Sequence, residues 1–187
     1  MKKIAILVAP GFEEIELTAP LDILRRLGFD VSLAGVQSDH VIGAHELTIT
    51  TDTMMDQLQA DQLDALILPG GAGSWVLRDT PEVLHLVNQM HIAGKLVAAI
   101  CAAPIVLAKA GLVRGRDVTA YPMPDVHEEL HDAGARIIKN QPVVLDGNMI
   151  TANGPGAALL FGYAIGEFLG EDLQVAELKE QMCFTGI

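Results

Sequence analysis

Cys101 stands at the end of an apolar run, Leu96-Val97-Ala98-Ala99-Ile100, with Ala99 and Ala103 two positions to either side. A nucleophile in a sharp strand-to-helix turn needs small residues at both offsets, because larger side chains would collide there. The helix that follows aims backbone N–H groups and its positive end at the sulfur, which favours the thiolate, the reactive form of cysteine. The expectation is a sulfur ionised at neutral pH. A plain core cysteine is the common fate of a free thiol, but the small flanks and the strand-to-helix setting favour the reactive reading.

Two further segments have residue types that could serve such a sulfur. Pro69-Gly70-Gly71 ends another apolar run. A free N–H at those glycines, paired with that of Ala102, would make an oxyanion site, although a glycine pair alone is equally a plain tight turn. The run Glu13-Glu14-Ile15-Glu16 opens a helix, where acids favour the dipole. One of these carboxyls could also face the cysteine: ionised it would raise the thiol pKa, protonated it would donate a hydrogen bond and lower it. Trp75 follows the glycine turn, where it would line a pocket or fill the core.

His127-Glu128-Glu129-Leu130-His131 has the H-E-x-x-H spacing of zinc proteases, with two imidazoles one helical turn apart. Against zinc, Asp125 and Glu128 read as a capping pair, His131 suits a helix C-terminus, and no third ligand is identifiable. No metal or cofactor is expected. His40, His85 and His91 read as surface or structural residues, while the segment of His45 could reach the pocket of a second copy.

The elements that would position these groups alternate. Strands are expected over residues 3–8, 30–34, 64–68, 95–100, 117–120, 135–139 and 143–151, the last broken by an Asp146-Gly147 turn, with an edge hairpin strand over 46–51. Helices are expected over 13–27, 81–92, 102–110 and 125–133, with one long final helix after Gly154-Pro155-Gly156. Pro20 should kink the first helix or mark its true start. This rhythm specifies an α/β fold, a mostly parallel sheet sandwiched by helices, with ligands at the carboxyl ends of its strands.

Four segments in register resemble the ThiJ/PfpI superfamily, in the branch of the Parkinson-associated deglycase and its bacterial relative YajL: Gly11-Phe12-Glu13-Glu14-Ile15-Glu16, Leu68-Pro69-Gly70-Gly71, Ala98-Ala99-Ile100-Cys101-Ala102-Ala103-Pro104 and Asn153-Gly154-Pro155-Gly156. The resemblance covers nearly the whole chain. It implies a flavodoxin-like fold with a nucleophile elbow at Cys101, and a homodimer. It makes Cys101 the oxidisable nucleophile, Glu16 its protonated partner, and Gly71 and Ala102 the backbone donors, with Gly70, Tyr121, Trp75 and Asn153 around the pocket. It implies cofactor-free action on small reactive aldehydes or glycated groups, or a redox-sensing or chaperone-like role. Tyr121 stands where many relatives place a histidine, which removes a general base from that position. Ala102 replaces the histidine that follows the cysteine in protease-like relatives, so proteolysis is disfavoured.

With 187 residues the chain is expected to form one domain, residues 1–187. A formal net charge of −12 argues against nucleic acid and anionic membrane partners. The apolar bursts are too short to span a bilayer, and the N-terminal Lys2-Lys3 run ends too soon, at Pro10-Gly11, to act as a signal peptide. A cytoplasmic protein with reduced thiols is expected, with Cys183 inert. The family label suggests a thiamine-pathway role, but nothing in the residues supports it, and no Gly-x-x-x-x-Gly-Lys phosphate loop is present.

Overall fold

The computed structural model describes residues 1–186. In chain order the strands are β1 (Lys3–Val8), β2 (Asp30–Gly35), β3 (His40–Ile42), β4 (Thr48–Thr50), β5 (Thr53–Met54), β6 (Ala65–Leu68), β7 (Leu96–Ile100), β8 (Asp117–Val118), β9 (Arg136–Ile137), β10 (Val143–Asp146) and β11 (Met149–Ala152). The helices are α1 (Glu14–Arg26), α2 (Gly73–Asp79), α3 (Pro81–Ile92), α4 (Pro104–Lys109), α5 (Pro124–Asp132), α6 (Ala158–Phe168) and α7 (Asp172–Gln181).

Seven strands form one sheet in the order β10-β11-β7-β6-β1-β2-β5. Every pairing in it is parallel except β10 against β11. The strands alternate between two buried clusters. Ile4, Ile6 and Val8 belong with Leu17, Leu24 and Phe161 of α1 and α6, while Ala5 and Leu7 belong with Leu77, Val87 and Ile105 of α2, α3 and α4. A strand covered on both faces must be apolar at every position, which is why these runs are continuous rather than alternating. The chain passes from β1 to β2 on one side and returns to β6 on the other. This reversal is the switch point where open α/β sheets leave a crevice at their carboxyl ends, and the loops after β1, β6 and β7 lie around it.

The α/β expectation holds, and the differences have local causes. Pro20 lies inside α1, neither starting nor ending it. Tertiary packing outweighs its missing N–H: Pro20 is buried, and α6 crosses α1 so closely that a Cβ on Gly162 would come within 2.9 Å of Ile23 and 3.2 Å of Pro20. The expected helix after Cys101 begins only at Pro104. The short helix α2 follows the glycine turn, where no apolar period announces it. Asp125 does not cap α5: the cap position is Met123, with no side-chain hydrogen bond. The single final helix is two, α6 and α7, separated at Gly170, whose φ of +92° suits glycine alone. No described helix is long and apolar enough to cross a membrane.

The α1–α6 contact gives a direct stability test. Gly162→Val should destabilise the fold by about 1–3 kcal/mol through overpacking, read as a lower urea midpoint with an unchanged slope.

Candidate functional site

β7 delivers Cys101 into a turn with φ +64°, a left-handed conformation that non-glycine residues rarely adopt. Both backbone groups are held there: the N–H donates to Ala152 O at 2.8 Å, and the C=O accepts from Tyr121 N at 2.8 Å. Such conformations persist only when their surroundings over-determine them. Ala99 and Ala103 are wholly buried at the flanking offsets, and Cys101 itself is 7% exposed.

The loop after β6 is drawn against the loop after β1. Glu13 N donates to Gly70 O at 3.1 Å, Gly73 N donates to Gly11 O at 3.1 Å, and Phe12 pairs with Gly71 as an isolated antiparallel bridge. Glu13 caps α1 by accepting Glu16 N at 2.8 Å. The β3–β4 hairpin straps the same loop. Gly11 N donates to Ile42 O, Ala44 N donates to Phe12 O, and Glu14 accepts His45 N while sharing a hydrogen bond with His45 Nδ1 at 2.8 Å. Burial pulls the Glu14 carboxyl up, but its bonds to His45 outweigh that and hold it below the usual range; the same carboxylate raises His45.

These contacts bring Glu16 to the cysteine. Glu16 is fully buried and accepts Gly70 N at 2.9 Å through Oε2. Gly70 fills the space between the two groups: a Cβ there would overlap Glu16 Oε2 and stand 2.5 Å from the Cys101 Cβ. Glu16 Oε1 is sealed from solvent and has no hydrogen-bond partner in the structure, which leaves the neighbouring sulfur as the group with which it can share a proton. Burial, assisted by the Glu13 charge, raises the Glu16 carboxyl to about 7. A buried carboxyl oxygen without a donor is where a proton belongs.

Of the two expected supports for the thiolate, a helix end and a protonated acid group, the helix end needs correction. Burial pushes the Cys101 thiol up to about 12, with the charge of the neighbouring Glu16 carboxylate acting in the same direction. The backbone N–H groups of Gly71 and Ala102 act in the opposite direction and lower it. Helix α4 has six residues and starts three positions after the cysteine, so it contributes less than a helix beginning at Ala102 would. The contribution of Glu16 reverses when the carboxyl takes up a proton: repulsion ends and an O–H can donate to the sulfur. Ionisation of Cys101 is therefore tied to protonation of Glu16.

The other residues named from sequence fall into three places. Tyr121 lies beside the cysteine turn, its ring against Gly154. Asn153 lines a neighbouring cavity together with Thr119, Ala120 and His127. Trp75 packs against the core and lines a shallow depression with Gln37 and Thr80 rather than with Cys101. His127 and His131 belong to no group of three potential metal ligands among the described residues. His131 is exposed beside Asp132, and among the described residues the group of three potential ligands that does converge is Glu13, Glu14 and His45. The Glu14 oxygens there already bind His45 and Glu13 caps the helix, so the cluster is a strap. Cys183 is exposed, just beyond α7. Sequence reasoning missed the bond between His45 and Glu14 and the cavity beside Asn153, which depend on long-range packing.

The sequence matches the DJ-1/PfpI family, under that description, over residues 2–167. The chain belongs to the DJ-1/PfpI family. Within that family, Drosophila melanogaster protein dj-1beta is 36% identical over 96% of this chain and 95% of its own. The crystal structure of the same Drosophila protein superposes with a TM-score of 0.93 at 35% identity, covering 99% of each chain. A Thermococcus kodakarensis protein named a deglycase is 35% identical over 82% of this chain and 91% of its own. The structure described as oxidized Toxoplasma gondii DJ-1 has a TM-score of 0.90 at 27% identity, covering 100% of each chain.

The raised Glu16 pKa gives a stability test with a definite sign. A carboxyl raised on folding binds a proton that the unfolded chain has already lost, so its contribution is full below pH 4.5 and is lost as pH rises through about 7. A shift of that size corresponds to about 3 kcal/mol. In paired urea titrations from pH 4 to pH 8, wild type should lose that much relative to Glu16→Gln; parallel curves would show that Glu16 is not raised.

Proposed function

We propose that this DJ-1/PfpI protein acts on small reactive carbonyls through Cys101, in the manner of a cofactor-free glyoxalase or deglycase. The observation that carries the reading is the buried Glu16 Oε1, without a protein partner, next to a sulfur that the N–H groups of Gly71 and Ala102 also reach. The deglycase name of the Thermococcus relative supports the same substrate class.

With an α-oxoaldehyde, the Cys101 sulfur forms a bond to the aldehyde carbon while the carbonyl π pair moves to oxygen, steadied by the Gly71 and Ala102 N–H groups. That oxygen gains a proton, giving a hemithioacetal. Glu16 as carboxylate removes the proton from the former aldehyde carbon and, as acid, returns it to the adjacent carbon, converting the adduct to a 2-hydroxy thioester. Water then cleaves the C–S bond, releasing a 2-hydroxy acid and restoring the thiol, so the net reaction adds one water. A carboxyl poised near neutrality suits this alternation between acid and base. Tyr121 orders the turn through its backbone N–H, which donates to the Cys101 carbonyl.

With methylglyoxal as substrate, Cys101→Ser should reduce turnover to the buffer rate and Glu16→Gln should lower it by about 10²-fold or more, followed by NMR of the 2-hydroxy acid. Wild-type consumption no faster than buffer ends the catalytic reading.

A second reading has its own support. The donors around Cys101 would equally hold a sulfinate, and the Toxoplasma structure is described as oxidized. Two equivalents of peroxide would convert the thiol to sulfinic acid with release of two waters. Peroxide treatment of a Cys183→Ser protein should then add two oxygen atoms at Cys101 in intact-mass and peptide analysis; oxidation confined to methionines counts against it.

We also propose that the protein forms a homodimer. Ile15 at the start of α1 and Ile42 and Leu47 in the strap region are exposed apolar side chains close to the site. Ile42→Asp combined with Leu47→Asp should shift sedimentation from dimer to monomer, and a wild-type monomer at micromolar concentration refutes the proposal.

A further inference from the structure

Beside the cysteine turn, on the segment 119–124, lies a cavity of about 350 Å³ whose walls differ in charge from the rest of the molecule. The chain carries a net charge of −12, yet no Asp or Glu lines this cavity. Four other depressions on the surface each have a carboxylate in the wall: Asp64 and Glu171, Asp30, Asp79, or Asp56 and Glu82. Here the polar lining is Lys139, His127, Asn153 and Thr119, and the apolar lining includes Ala120 and Met123.

Lys139 and His127 form no ion pair with a carboxylate among the described residues. His127 Nε2 is sealed from solvent and has no hydrogen-bond partner. An unpaired buried ring nitrogen is costly, and a polar guest in the cavity that His127 lines is a candidate partner for it. The first turn of α5, uncapped by any side chain, forms part of the wall and favours negative charge. A lining with a single lysine and an amide together with apolar side chains matches one negative charge carrying a short alkyl tail.

We propose that this cavity is a binding site for a small monocarboxylate, separate from the sulfur. The carboxylate pairs with Lys139 and hydrogen-bonds Asn153 or His127, and the alkyl tail lies against Ala120 and Met123. The volume is within the range of small-molecule pockets. The site is one peptide away from the reactive turn, since Ala120 and Pro122 line it while Tyr121 between them donates to the Cys101 carbonyl. The proposal stands whether or not Cys101 turns over aldehydes.

The test is titration of the full chain with butyrate, followed by amide chemical shifts in two-dimensional NMR, with inorganic phosphate and neutral butyramide as comparators. Saturable one-to-one shifts grouped at residues 118–127 and 153 are expected with butyrate. Lys139→Gln should weaken binding by about tenfold or more, as loss of a charged hydrogen bond does, and butyramide should bind as weakly to wild type. Cys101→Ser should bind butyrate like wild type, which separates this site from the reaction. Non-saturating shifts spread over other lysines, an undiminished affinity in Lys139→Gln, or phosphate binding more tightly than butyrate would each overturn the proposal.

Discussion

The site depends on one close approach: Glu16 and Cys101 meet across Gly70, where no side chain can stand. The carboxyl and the sulfur are both removed from water, and neither charge has a cationic partner to offset burial. Under those conditions two negative charges cannot coexist cheaply. Protonation of one group then governs ionisation of the other, and the backbone N–H groups of Gly71 and Ala102 reduce the cost of charge on the sulfur. Chemistry follows from shortage of solvation rather than from a strong base.

The rest of the fold holds that approach in place. β1, β6 and β7 are neighbours in the sheet, so the loops leaving them must be neighbours too. The isolated Phe12–Gly71 bridge and the bond from Glu13 N to Gly70 O fix the first two loops together, and the Cys101 turn is pinned by Ala152 and Tyr121. The β3–β4 strap then closes over the Gly11–Glu14 loop, with Glu14 and His45 as its clasp. Each contact is modest alone. Together they maintain a left-handed cysteine and a buried acid, both of which are unfavourable in isolation.

Much of this was legible in the sequence because it is local. The continuous apolar runs of β1, β6 and β7 carry the parallel sheet, the alanines around Cys101 carry the turn, and Pro81 marks the start of α3. What was not legible depends on contacts between distant residues. Pro20 reads as a break until the packing of α6 against it is known. The helix-end contribution at Cys101 was overstated because a helix start was placed at Ala102 rather than Pro104, and burial depth does not show in residue types. The nearness of Trp75 to the glycine turn left a pocket or a core role open, and α2 packs it against the core. Asn153 lies in the register of a recognisable segment, but the cavity it lines is built from β9, α5 and the 119–124 loop, which no single stretch announces.

The distance along the chain between Glu16 and Cys101 has a consequence for synthesis. At roughly 5–20 residues per second, the acid emerges from the ribosome seconds before the thiol with which it will share a proton. Until β7 docks beside β6, Glu16 is an ordinary hydrated carboxylate and Cys101 an ordinary thiol. The coupled ionisation of this pair arrives together with the finished sheet, and an unfolded chain carries both residues without it.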